Sequence, residues 1–246
     1  MKLGRLRLLK RAFLAGITLL LTFVMLAYFV LPLLWRHHEH EPALANLTMR
    51  TQTAQNIAGD PLNVGFVGSK EEILSAFKQI GWVEADPVTL DSSVEIADSV
   101  ILDRPYAAAP VSALYYEGRK QDLAFEKPVG KSADARHHVR LWQAIDSDNS
   151  GRPLWLGAAS FDKGVGISNY TGQITHHIDA NIDAERDGLI RDISQAGLAE
   201  TIYQVSGIGP TFAGRNGEDD PFHTDGELTV AVLRKWAISE ISAPKF

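Results

Sequence analysis

Arg136-His137-His138-Val139-Arg140-Leu141-Trp142 is the stretch whose reading decides the fold. Its side chains divide with a period of two, as an extended strand requires, because successive Cβ atoms point to opposite faces of a sheet. His138, Arg140 and Trp142 share one face. Val139 and Leu141 share the other and carry His137 with them toward the core. Adjacent histidines on a strand face opposite ways, so at most one of the pair reaches any one pocket.

The segment before it has the same alternation. Leu123 and Phe125 lie on one face, and Asp122, Ala124 and Glu126 on the other. Helices are expected to cover the Leu123, Phe125, Val139 and Leu141 face. That leaves Asp122, Glu126, His138, Arg140 and Trp142 together opposite, on a surface that is either solvated or a site.

Working outward, Leu62 to Gly68 alternates as a strand. Ser69 and Glu72 form a capping box ahead of Ile73, Phe77 and Ile80, and Gly81 stands where a left-handed residue ends a helix, so residues 70–80 read as helix. A second helix is expected over residues 92–102. Residues 111–116 and 122–126 read as a hairpin closed by a turn at 117–120. The polar run from Asp146 to Gly151 lacks the distal glutamate of a calcium loop and reads as a hairpin turn. Residues 153–161 form an apolar strand ending at Asp162, and Gly164, Gly166 and Gly172 read as loop. Ile174 to Ile178 is one more strand. Asp183 is expected to cap a helix over 184–196, stopped by Gly197. Residues 201–206 and 227–233 are strands. The Gly- and Asp-rich loop between them is long enough to be functional, with Asp219, Asp220, His223 and Asp225 able to close over a site. The class is α+β, a mostly antiparallel sheet with helices packed on one face, plus one N-terminal transmembrane helix.

That helix is read from residues 12–35, which hold 24 residues and no charge. About 20 apolar residues cross a bilayer as a helix. Lys2, Arg5, Arg7, Lys10 and Arg11 precede it with no acid among them, which places residues 1–11 in the cytoplasm. The run is longer than the roughly 7–15 residues of a cleaved signal's apolar core. Ala43-Leu44-Ala45 resembles a cleavage site but lies well past its end, so an uncleaved anchor is expected. Residues 36–58 read as linker, and 59–246 as a domain on the periplasmic side of the inner membrane. The chain has no cysteine, so that domain rests on packing rather than disulfides. Beyond residue 11 there are 19 Lys and Arg against 30 Asp and Glu, a net charge of −11. A surface of that sign excludes a general nucleic-acid binder.

Four groups of motifs combine into a resemblance. They are Tyr115-x-x-Gly118-Arg119-x-Gln121-Asp122-Leu123-Ala124-Phe125-Glu126; Arg136-His137-His138-Val139-Arg140-x-Trp142; Trp155-x-Gly157-Ala158-Ala159-x-Phe161-Asp162; and Thr175-His176-His177-Ile178 with Asp183-x-Glu185-Arg186-Asp187. Together they resemble the LssY C-terminal domain over roughly residues 60–233. The resemblance implies a bacterial envelope protein, since that domain often follows multi-pass membrane modules of the PAP2 lipid-phosphatase or DedA-like kind. It implies no activity of its own. No PAP2 motif is present here, so phosphatase activity does not carry over.

Three roles for the polar residues follow. Arg119, Arg136, Arg140 and Arg186, with Trp142, suit an anionic envelope ligand such as a lipid phosphate or an acidic glycan. Alternatively, the domain is a hydrolase acting on an envelope phosphoester. His138, His176, His177, Asp162 and Asp183 would then hold a divalent metal such as zinc, manganese or iron, or His138, Glu126 and Asp122 would do acid–base work. In the third reading the cluster is structural, with Arg119–Asp122, Arg140–Glu126 and Arg186–Asp183 as ion pairs.

Overall fold

A capping box and a phenylalanine start the folded core. In the computed structural model, which describes residues 2–31, 44, 47–85, 112–130, 135–147, 151–167, 174–209 and 213–235, Ser69 Oγ accepts from Glu72 N at 3.2 Å and Glu72 accepts from Ser69 N at 2.8 Å. This launches a helix over Lys70–Gln79 that buries Ile73, Ala76 and Phe77, and Gly81 ends it at a φ of +79°. The helix expected over residues 92–102 lies outside the described residues.

Two units make up the chain, Met1–Ala45 and Asn46–Phe246. In the first, α1 spans Lys2–Met25 and continues as a π-helical turn over Leu26–Val30. The stretch Lys10–Val30, 21 residues, is long and apolar enough to cross a membrane. Its two threonines donate to carbonyls one turn back, Thr18 to Leu14 and Thr22 to Thr18, so neither hydroxyl needs water.

The second unit carries the helices α2 (Lys70–Gln79) and α3 (Ile182–Gln195). Its strands in chain order are β1 (Arg50–Gln52), β2 (Ala58–Pro61), β3 (Val64–Val67), β4 (Val83–Glu84), β5 (Tyr115–Tyr116), β6 (Arg119–Lys120), β7 (Leu123–Val129), β8 (Ala135–Ile145), β9 (Leu154–Ile167) and β10 (Ile174–Ile178). They continue as β11 (Ala199–Ser206), β12 (Gly214–Arg215), β13 (Pro221–Phe222) and β14 (Glu227–Leu233). The main sheet runs β11-β14-β3-β9-β8-β7-β4, with β10 added along the outer half of β9. Its pairings are antiparallel except β14 with β3. The α+β class is as expected. A small sheet has the order β2-β1-β5-β6, and β12 pairs with β13.

Helices α2 and α3 cover the face expected of them. Phe77 stacks on Phe125 with centroids 4.2 Å apart and meets Phe66 edge-on at 5.4 Å. Leu123, Val139, Leu141, Leu189 and Ile193 complete this core. The other face of the sheet is not solvated. Residues of the small sheet and its flanks reach it, as Asp60 and Ser112 bond Arg140 and the Arg119 carbonyl accepts from Trp142 Nε1.

Several local expectations need correction. Strand β7 pairs with β8 and β4, not with the 115–116 strand; that hairpin closes within six residues, on β6. Two residues at the turn adopt positive φ, Glu117 and Gly118, which makes the tight connection possible. Strand β9 does not end at Asp162 but runs on through Gly164 and Gly166. The glycines there admit a neighbour, because a Cβ at 166 would lie 2.3 Å from His177 Nε2. Helix α3 is capped by Asn181, which accepts from Ala184 N at 3.1 Å, rather than by Asp183. Part of the expected linker is structured, since β1 lies within residues 36–58 and Thr51 is buried there.

Candidate functional site

Strand pairing sets up the polar cluster. In the ladder Glu126 stands opposite His138, Arg136 opposite Asp162, and His138 opposite Ser160. Arg136 thus sits between two carboxylates. Its Nε donates to Asp162 Oδ2 at 2.9 Å and its NH1 to Glu126 Oε2 at 2.5 Å. The expected Arg140–Glu126 pair is not formed. Arg140 turns to the small sheet, with NH1 3.3 Å from Asp60 Oδ2, Nε 2.9 Å from the Ser112 carbonyl and NH2 3.0 Å from Ser112 Oγ.

His138 lies between the two arginine groups. Arg140 NH1 is 2.8 Å from His138 Nε2. A guanidinium only donates, so Nε2 is the acceptor of this pair. Nδ1 is 3.1 Å from Asp162 Oδ1, a contact bent away from a linear hydrogen bond. Burial pushes the Asp162 carboxyl up, but the neighbouring His138, Arg136 and His176 outweigh it and hold the carboxyl well below its usual range. Burial pulls the Arg136 guanidinium down, and Asp162 and Glu126 more than restore it. For Arg140 burial wins, and its pKa is lowered despite Asp60 and Asp162.

Exposure decides what this cluster can reach. Glu126 is 0% exposed, Arg136, His138 and Asp162 are 2%, and Arg140 is 4%. The Arg136 and Arg140 guanidiniums, expected to grip a ligand, are turned inward and bonded to their own chain. The lone pair of His138 that would serve as base or metal ligand is already taken by Arg140. Trp142 is fully buried, with its indole N–H on the Arg119 carbonyl at 3.1 Å and Tyr116 packed against it at 6.1 Å. It offers no stacking surface. The Tyr116 hydroxyl beside it is pushed up to about 12 by burial and by Glu117.

The remaining candidates stand elsewhere. Asp122 is not in the cluster; it pairs with the exposed Arg119 at 3.2 Å and accepts from Gln143 N at 2.8 Å, pinning the start of β7 to β8. His137 is half-exposed rather than buried in the core, and its Nδ1 meets Glu185 of α3 at 2.8 Å. His177 bonds Asp220 at 2.7 Å through Nδ1. Arg186 is buried and spends its donors on Asp225 at 2.7 and 3.0 Å, Asp187 at 2.8 Å and the Glu227 carbonyl at 3.1 Å. Burial lowers its pKa, but these carboxylates raise it above the usual arginine value. The Arg186–Asp183 pair is formed at 3.4 Å, and Asp183 also accepts from Thr224 Oγ1 and Asp225 N at 2.7 Å each. The long loop does close, but onto β10 and the start of α3. Asp220, Thr224 and Asp225 are its fasteners.

The expected metal set is therefore dispersed. His138 and Asp162 belong to one group, with His176 near enough to help lower the Asp162 carboxyl, while His177 belongs to Asp220, and Asp183 to Arg186 and Thr224. Among the described residues no three His, Asp or Glu side chains are grouped to hold a metal ion.

Three contributors had no sequence signal. Asp60 and Ser112 reach Arg140 from 80 and 28 residues away. Asn63 is buried and bridges three elements. It donates to the Ala159 carbonyl at 2.9 Å and the Ile182 carbonyl at 3.2 Å, and accepts from Ala159 N at 2.9 Å.

The family model described as LssY C-terminus matches residues 44–228. The chain belongs to the LssY C-terminus family. The match takes in the whole Arg–His–carboxylate cluster and begins ahead of β1, earlier than the residue 60 suggested by the motifs. No curated protein and no solved structure matches the chain. In this member of the LssY C-terminus family, a helix long and apolar enough to cross a membrane precedes the domain.

Proposed function

We propose that the protein is a membrane-tethered, non-catalytic interaction domain, in which the Arg–His–carboxylate cluster locks two sheets together. One observation carries this reading. Arg136, Arg140 and His138 lie at or below 4% exposure with their polar groups directed at Glu126, Asp162, Asp60 and Ser112 of the same chain. A binding or catalytic cation needs donors aimed at solvent or at a cavity. These are aimed at each other. The five basic residues ahead of the span, with no acid among them, favour a cytoplasmic N-terminus and a domain on the periplasmic side.

The alternatives, an anionic-ligand site and a metal-dependent phosphoester hydrolase, share a testable consequence. A ligand that binds the folded form raises its melting temperature by mass action. The full chain in detergent is to be melted with inorganic phosphate, with phosphatidic acid, and with zinc or manganese. No shift is expected. A rise that disappears in Arg140→Lys would replace this reading with the ligand-binding one.

A further inference from the structure

Strand β9 outruns the sheet to which it belongs. Its pairing with β8 ends at Asp162, opposite Arg136. From Lys163 to Ile167 its strand neighbour among the described residues is β10 alone, with Gly164 opposite His177 and Ile167 opposite Ile174. Two strands by themselves are marginally stable in water, so such an arm depends on what covers its faces. One face is covered from within the chain. His177 lies over Gly166, where a Cβ would come within 2.3 Å of the imidazole. Asp220 of the long loop holds it there, 2.7 Å from His177 Nδ1 and accepting from Ile178 N at 3.0 Å.

The other face is apolar and open. Side chains alternate along a strand, so Val165 and Ile167 share the face turned away from Gly166 and His177. Ile167 is 68% exposed, the most exposed large apolar residue of its unit among the described residues, ahead of Val129 at 44%. The charge of this stretch also departs from that of its surroundings. Beyond residue 11 the net charge is −11, yet residues 163–178 hold no acid, and the exposed Lys163 is their one formal charge.

We infer that the open face of the β9–β10 arm is a lipid-contacting surface, with Ile167 set into the boundary between headgroups and acyl chains and Lys163 near the phosphates. Three observations select a bilayer as the occupant. The chain carries a helix long and apolar enough to be a membrane span, so a bilayer is always within reach. A surface of net charge −11 is repelled by anionic headgroups, whereas an arm with a lysine and no acid is attracted to them. A free domain would need a larger apolar face to bind a membrane, but a tethered one does not, because the tether supplies a high effective concentration. Such a contact orients the domain rather than anchoring it. It asks for a bilayer and not for one lipid, so phosphatidic acid added in detergent does not mimic it. The inference goes beyond the role of the buried cluster and does not depend on it.

The chain has no cysteine, so single probes can be placed in it. Ile167→Cys, Val129→Cys and Glu200→Cys of the full chain, all at exposed positions, are to be labelled with an environment-sensitive fluorophore. Each is then reconstituted into vesicles of phosphatidylcholine and phosphatidylglycerol, with part of the phosphatidylcholine carrying a doxyl quencher high on its acyl chain. Insertion to the depth of about 5–10 Å reached by interfacial segments predicts quenching at 167 at least about threefold that at 129 or 200. Quenching at 167 no greater than at these two controls would overturn the proposal. So would a probe at 167 that shifts to the blue without being quenched, because a protein partner or a second copy would then cover the face in place of lipid.

Discussion

The two faces of the main sheet are built on opposite principles. Under α2 and α3 the face is aromatic and aliphatic, with Phe66, Phe77, Phe125, Val139 and Leu141 in contact. Under the small sheet the same strands β7, β8 and β9 present Glu126, Arg136, His138, Arg140 and Asp162, equally buried. The apolar face is stabilised by area removed from water, which changes gradually with side-chain volume. The ionic face is held by matched charges in a dry environment, where removing one member strands another. One side of a single strand therefore tolerates small changes and the other does not.

Asp162→Ala should have the largest effect. It removes one of the carboxylates that Arg136 donates to and the acceptor beside His138. Loss of one partner of a buried ion pair costs about 3–5 kcal/mol. Urea denaturation of the full chain should show a loss of that size. A loss below about 1 kcal/mol, as for an exposed ion pair, would mean that water reaches the cluster.

Acid should act on the same face next. The Asp162 carboxyl is held below its unfolded value, so its ionised form adds stability above the ordinary aspartate pKa of about 3.9. That contribution is lost as pH falls through the folded value. The difference in urea midpoint between wild type and Asp162→Asn should stay constant from pH of about 8 to about 5 and shrink below about 4. Shrinkage near pH 6 would instead place a histidine titration in control.

The apolar face should respond more mildly. Phe77→Leu removes volume from the Phe66, Phe125 and Trp82 contacts without stranding a polar group. A loss of about 1–1.5 kcal/mol is expected. A loss equal to that of Asp162→Ala would erase the distinction between the faces.

The same contrast explains what was legible in the sequence. Periodicity identified both faces of β8 correctly, because side-chain alternation is a local property. The capping box at Ser69 and Glu72 and the stop at Gly81 were legible for the same reason. Partner choice was not local. Arg140 was expected on Glu126, its neighbour across the strands, but Asp60 and Ser112 compete for it from a second sheet. Arg136 takes Glu126 instead. The hairpin return at β6 was missed because Asp122 to Glu126 alternates just as well, and the long pairing with β8 claims it. The continuation of β9 past Asp162 was hidden by glycines. They read as loop, yet Gly166 is where His177 packs against the strand.

The central claim is that the cluster is a structural lock, and a double-mutant cycle on Arg136 and Glu126 tests it most directly. The stability of wild type, Arg136→Met, Glu126→Gln and the double variant is to be measured by urea denaturation of the full chain. A lock predicts that Arg136→Met alone costs about 3–5 kcal/mol, with a coupling energy of at least about 1.5 kcal/mol between the two positions. Residues held for function rather than stability are often neutral or stabilising when replaced. An Arg136→Met variant as stable as wild type, with no coupling to Glu126, would contradict the account.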